Sequence, residues 1–146
     1  MKVLLQKVSK ASVTVNEKEV GAISQGLLLL TGIGKTDSEE TVEAMAEKVS
    51  NIRVFPDDKG RFHHSVLEVK GEVLVVPQFT LYASTAKGRR PEFFDAREPG
   101  EAKALCEKFV QALKNQGVSK VSEGEFGAMM QVSLVNEGPV TIMLEM

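Results

Sequence analysis

The chain contains no tryptophan, one tyrosine and one cysteine among 146 residues. A lone Cys106 has no intramolecular partner, so nothing in the sequence asks for an oxidising compartment or a disulfide framework. The apolar run Leu27–Leu30 is far too short to cross a bilayer, and Met1–Lys7 lacks the long apolar stretch of a secretory leader. A cytoplasmic location is the expectation. Excess positive charge is also missing: 18 Lys and Arg stand against 20 Asp and Glu. That balance argues against a protein that coats nucleic acid nonspecifically, though not against a local RNA contact. The only tight basic cluster is Lys87-Gly88-Arg89-Arg90; on composition alone it reads as a solvated loop.

What is present is an ordinary apolar fraction, 42 %, in a length that suits one domain over 1–146. Val3, Leu5, Ala11, Val13 and Val15 alternate with polar neighbours, so residues 1–25 read as β-rich, turning at Asn16-Glu17-Lys18. Leu27–Ile33 is a continuous apolar run after Gly26, the signature of a strand buried on both faces. From Asp37 to about Asn51 the period becomes helical through Val42, Met45, Ala46 and Val49, with Asp37 and Glu40 as a capping pair. Arg53–Phe55 reads as a short strand and Glu72–Leu81 as a longer one. A second helix spans Pro99–Asn115, with Pro99 in its first turn and Gly117 as its stop. Gln131–Val135 and Val140–Leu144 alternate around Asn136-Glu137-Gly138-Pro139, which predicts a hairpin. Two helices among about eight strands predict a mixed α/β domain with the helices on one face.

Several chemical signals fail on inspection. Gly34-Lys35-Thr36 ends like a phosphate-binding loop, but the glycine required upstream is Leu29. His63-His64 has no ligand at metal spacing and sits at a surface turn or strand edge. Cys106 lies on the apolar face of the second helix, where a thiol is inert. No Gly-x-Ser-x-Gly elbow accompanies a histidine, so a serine triad is not indicated. Two short segments remain. Pro77-Gln78-Phe79-Thr80-Leu81 ends an apolar strand with polar residues around an aromatic. Asn136-Glu137-Gly138-Pro139-Val140-Thr141 places a Gly-Pro step between two good strands.

Together these segments resemble the D-aminoacyl-tRNA deacylases, a family marked by Ser-Gln-Phe-Thr and Asn-x-Gly-Pro-Val-Thr. Further likeness lies in Gln6-Lys7-Val8, Ala11–Val15, Gly88-Arg89-Arg90-Pro91-x-Phe93 and Met130–Asn136, so it covers the whole chain. The chain departs from the family at Pro77, where serine is usual, at Lys7, where arginine is expected, and at the bulkier Phe62-His63-His64. A lysine at position 7 replaces a two-point support of the Gly-Pro loop by a single-point one.

The resemblance implies a single-domain three-layer β/β/α sandwich with mixed sheets, acting as a homodimer. The Gly138-Pro139 loop of one copy enters the pocket of the other, with that peptide bond cis and its carbonyls holding the substrate's amino group. Gln78, Phe79 and Thr80 are the implied catalytic residues. Pro77, Met130, Phe93, Lys7, Gly138 and Pro139 bind the aminoacyl group, and Lys87, Arg89 and Arg90 hold tRNA phosphates. Neither metal nor cofactor is implied. The implied reaction is hydrolysis of the ester of D-aminoacyl-tRNA, with glycyl-tRNA passing the same filter. Thr80 acts either as a nucleophile or beside backbone donors that polarise the carbonyl; the second is favoured, because no base adjoins Thr80 in sequence. The competing readings are a non-catalytic RNA-binding module and a general small-molecule esterase. One tyrosine, no tryptophan and net negative charge weigh against the first; the missing triad weighs against the second.

Overall fold

A computed structural model describes residues 1–146. The chain opens with β1 (Lys2–Val15). Asn16 and Glu17, both at positive φ, turn it into β2 (Lys18–Ile23). β3 (Gly26–Gly32), α1 (Glu39–Asn51) and a small hairpin of β4 (Phe55–Pro56) and β5 (Phe62–His64) follow. Then come β6 (Glu72–Pro77), a 3-10 turn at Phe79–Tyr82, α2 (Pro99–Asn115), β7 (Lys120–Glu123) and β8 (Gln131–Glu145).

β3 is the central strand, antiparallel to β1 and parallel to β6, which runs parallel to β7. Its side chains point alternately to two cores, as a strand's period of two requires. Leu27 and Leu29 join Val3, Leu5, Val73 and Val75 beneath Val42, Met45 and Val49 of α1 and Leu105, Phe109 and Leu113 of α2. Leu28 faces the other way, with Leu74 and Val76, against Val8, Ala11, Val13 and Ile23. The second core exists because β1 serves two layers. Its first half pairs with β3 and its second half with β2, while β8 lines its other edge throughout. The alternation of β1 slips between Val8 and Ala11, where the ladder with β8 is also shifted. Such a bulge bends a strand and changes which side chains face inward. The result is the expected β/β/α order: helices, central sheet, then a small second β layer.

Three local expectations need correction. Ser38, not Asp37, caps α1, in a reciprocal pair with Thr41. Asp37 is buried and accepts instead from the Gly34 N–H at 2.6 Å and the Met1 ammonium at 2.5 Å. Buried donors claim a carboxylate more strongly than an exposed helix end does. The strand expected at Arg53–Phe55 is reduced to the short β4; Val54 still donates to the His64 carbonyl at 3.1 Å. The terminal hairpin is absent. Both halves pair with β1, so β8 is one strand interrupted by a loop.

Candidate active site

The strand expected to reach Leu81 ends at Pro77, which has no N–H to continue a ladder. Gln78 N–H still reaches the Thr31 carbonyl at 2.7 Å, and the chain then coils into the 3-10 turn. The turn can fold back over β3 because Gly32 and Gly34 lie beneath it. A Cβ on Gly34 would stand 2.6 Å from the Tyr82 hydroxyl, and one on Gly32 would stand 3.2 Å from its ring. The Tyr82 hydroxyl donates to Asp37 at 3.4 Å. Burial first, and the Asp37 carboxylate second, push its phenol well above the usual range.

The turn presents an exposed Thr80 whose hydroxyl accepts from the Gln78 amide. No histidine, lysine or carboxylate bonds that hydroxyl. Phe79 and Thr80 open the 3-10 turn, and the first N–H groups of a helix have no partner within it. Two adjacent donors thus stand at the start of the turn, on residues that are both exposed, beside a polar side chain. Phe79, 59 % exposed, packs edge-on against Phe93 at 4.9 Å. Phe93 directly follows Glu92, whose backbone exchanges two hydrogen bonds with Ser84, at 2.8 and 3.0 Å. That closure carries Lys87, Arg89 and Arg90, all exposed and without an ion pair in the chain. Pro77 and Met130 converge on Gly124, where a Cβ would lie 2.7 Å from the Met130 sulfur and 3.7 Å from Pro77 Cδ. A hollow of about 340 Å³ opens on the helix side of Pro77, lined by Cys106, Glu123 and Phe126 among others. Burial pushes the Cys106 thiol up to about 12.

The remaining expected residues gather elsewhere. Val8 pairs with Asn136 and Gln6 with Thr141, so Glu137–Val140 bulges out opposite Lys7 alone. The Asn136 amide closes the base of this excursion, donating to the Lys7 carbonyl at 2.9 Å and the Val140 carbonyl at 3.0 Å. The Gly138-Pro139 bond is cis, and Gly138 has φ 122, a conformation that only glycine adopts readily. Lys7 is buried beneath the loop, and its ammonium stands 3.7 Å from Glu137. Lys7 pairs with Leu27 at one end of β3, and Pro77 with Thr31 at the other. The loop is thus about 13 Å along the strands and about 14 Å across them from the Thr80 turn. One chain does not bring Gly138 and Pro139 to Gln78, Phe79 and Thr80.

A family model described as D-Tyr-tRNA(Tyr) deacylase matches residues 4–145. The chain belongs to that family. A D-aminoacyl-tRNA deacylase of Roseiflexus sp. (strain RS-1) is 55% identical over 145 residues, covering 99% of this chain and 93% of the relative. The deacylase of Aquifex aeolicus (strain VF5) is 50% identical, with 99% and 97% covered. Among solved structures, the c-Myc DNA Unwinding Element Binding Protein superposes with a TM-score of 0.93 at 39% identity, covering 100% of this chain and 99% of that one. A probable eukaryotic D-amino acid tRNA deacylase shares the fold at TM-score 0.84 and 20% identity, with 98% and 97% covered. In this deacylase-family chain, Tyr82 and Asp37 support the turn without having been expected to. Their only sequence signal is an aromatic and an acid near the Gly32 and Gly34 pair. Asn136 was visible inside its motif, but its role as the clasp of the loop depends on pairing with β1.

Proposed function

We propose that this chain hydrolyses the ester joining a D-amino acid to the 3′-terminal adenosine of tRNA, as a homodimer in the cytoplasm. The observation that carries the mechanism is the pair of N–H groups at Phe79 and Thr80, which begin the exposed 3-10 turn where helix donors have no partner of their own. Donors already aimed at the ester carbonyl stabilise the oxyanion that forms when water attacks, and one such donor contributes about 3 kcal/mol. The Thr80 hydroxyl is held by Gln78 and meets no base. An unactivated hydroxyl is a poor nucleophile at neutral pH. Thr80 therefore positions the substrate, and the terminal ribose hydroxyl helps activate the water.

Chirality is read from the second copy. The Gly138-Pro139 excursion is exposed and remote from the turn of its own subunit, while β8, which carries it, leaves one edge unpaired. Leu134, Val135 and Met143 are exposed on that strand. Pairing of two copies covers them and carries each loop to the other's turn. Loop carbonyls then receive the amino group, common to all amino acids. An L side chain points into the loop backbone and is expelled, and glycine passes. Selectivity of about 10⁴ needs about 5.5 kcal/mol, which a rigid clash supplies more readily than a lost apolar contact. Lys87, Arg89 and Arg90 hold phosphates near the 3′ end. Release of amino acid from D-Tyr-tRNA, L-Tyr-tRNA and Gly-tRNA tests the reading. The first and third are expected to be cleaved and the second spared; cleavage of L-Tyr-tRNA at the rate of D-Tyr-tRNA rejects it.

A further inference from the structure

Phe94 is the most exposed phenylalanine of the molecule, at 71 %, and it does not lie on a free segment. On one side Ser84 and Glu92 close the basic loop with two backbone bonds. On the other, Lys35 N–H donates to the Asp95 carbonyl at 3.0 Å and Arg97 N–H to the Ile33 carbonyl at 3.0 Å. The Arg97 guanidinium adds a bond to the Lys35 carbonyl at 2.8 Å. The backbone is fixed on both sides of a ring left in water, an arrangement that gains nothing from burial within the chain. The same strut accounts for Gly34-Lys35-Thr36, the segment that is no phosphate loop. A bridge between Gly34 and Ala96 sets Lys35 beside Phe94-Asp95, and Lys35 is exposed with no ion pair.

We infer that Phe94 is a stacking platform for an unpaired base just before the terminal nucleotide of the RNA, with Lys35 meeting a phosphate next to that base. The inference rests on the aminoacyl-tRNA reading above. Phe79 lies at the turn, Phe93 packs on it at 4.9 Å, and the exposed Phe94 is the next residue along the chain. A terminal nucleoside held at the turn sends its preceding bases outward along this row. Stacking on an aromatic face suits any base, so it grips a single strand without reading its sequence. The exposed Asp95 repels a phosphate but not a π-face, which directs the phosphate to Lys35.

The test uses an RNA hairpin with a four-nucleotide unpaired 3′ end carrying 2-aminopurine before the last position, and a blunt hairpin as control. The unaltered protein should quench the 2-aminopurine on binding. Phe94→Ala should abolish the quench and weaken binding of the overhanging hairpin about ten-fold. It should leave binding of the blunt hairpin and the melting temperature unchanged, and Phe94→Trp should keep quench and affinity. Lys35→Ala should lower the salt slope by about one. Full quenching and affinity in Phe94→Ala overturns the platform. So does a shift of that variant from dimer to monomer in sedimentation, which assigns the ring to a contact between copies. If the unaltered protein frees D-tyrosine from D-Tyr-tRNA and Phe94→Ala still binds normally, only the platform falls. If the unaltered protein frees none, the deacylase reading falls and takes the platform with it.

Discussion

At the scale of single residues, Thr80 separates two chemistries. Thr80→Ala removes the hydroxyl that Gln78 holds but leaves the backbone N–H in place. Single-turnover hydrolysis should slow by less than about ten-fold, whereas loss of one oxyanion donor costs roughly 10²–10³. Substrate ending in 2′-deoxyadenosine should be the poor one. Collapse of the mutant with normal cleavage of the deoxy substrate would restore Thr80 as nucleophile. Tyr82 gives a second test, because it is the only tyrosine and there is no tryptophan. Its phenolate absorbance should appear well above pH 10 in the folded protein, and Asp37→Asn should bring the midpoint down. The sign follows from the raised value. The fold favours the neutral phenol, so its contribution to stability is complete below the free phenol's range and is lost as pH rises through the folded value. Gly34→Ala should displace the Tyr82 ring that stands over it. A cost of about 1–3 kcal/mol in thermal unfolding is expected, with a matching loss of kcat as the turn shifts.

Among the elements, α2 was legible end to end, because its start, stop and apolar face are all local signals. Its buried Cys106 should resist alkylation at pH 8 until the protein unfolds, since burial holds the thiol up to about 12. Rapid labelling of the folded chain would contradict that. The basic loop also makes a prediction of its own. Neutralising Lys87, Arg89 and Arg90 together should flatten the salt dependence of tRNA binding by about one unit of slope per lost contact. An unchanged slope returns them to the solvated surface. β8 was misread for a physical reason. A Gly-Pro step between two alternating segments is the local pattern of a hairpin, and only the shared partner β1 makes it one strand with an excursion. Asp37 was misplaced likewise: the cap pattern is local, but the donors that claim its carboxylate lie at Met1 and Gly34. Periodicity thus reached the buried faces of β3 and the helices. The layering and the site residues came from the motif resemblance instead.

For the whole molecule, the separation of the Gly138-Pro139 loop from the Thr80 turn matters most. Activity should fall on dilution below the dimer dissociation constant, in step with the monomer fraction seen by sedimentation. Unchanged specific activity in a monomeric population would reject the shared site. The arrangement also has a consequence for inheritance. In the proposed dimer each site draws one half from either copy, so two different defects need not add. Chains lacking 137–139 keep a sound turn, and chains altered at the turn keep a sound loop. Mixed in equal amounts, two inactive proteins should assort into half hybrids, each with one intact site, restoring about a quarter of normal activity. Two damaged alleles in one cell could then complement each other, while a single turn mutation would cost a hybrid dimer only the site at the altered turn and leave the intact chain's own turn working.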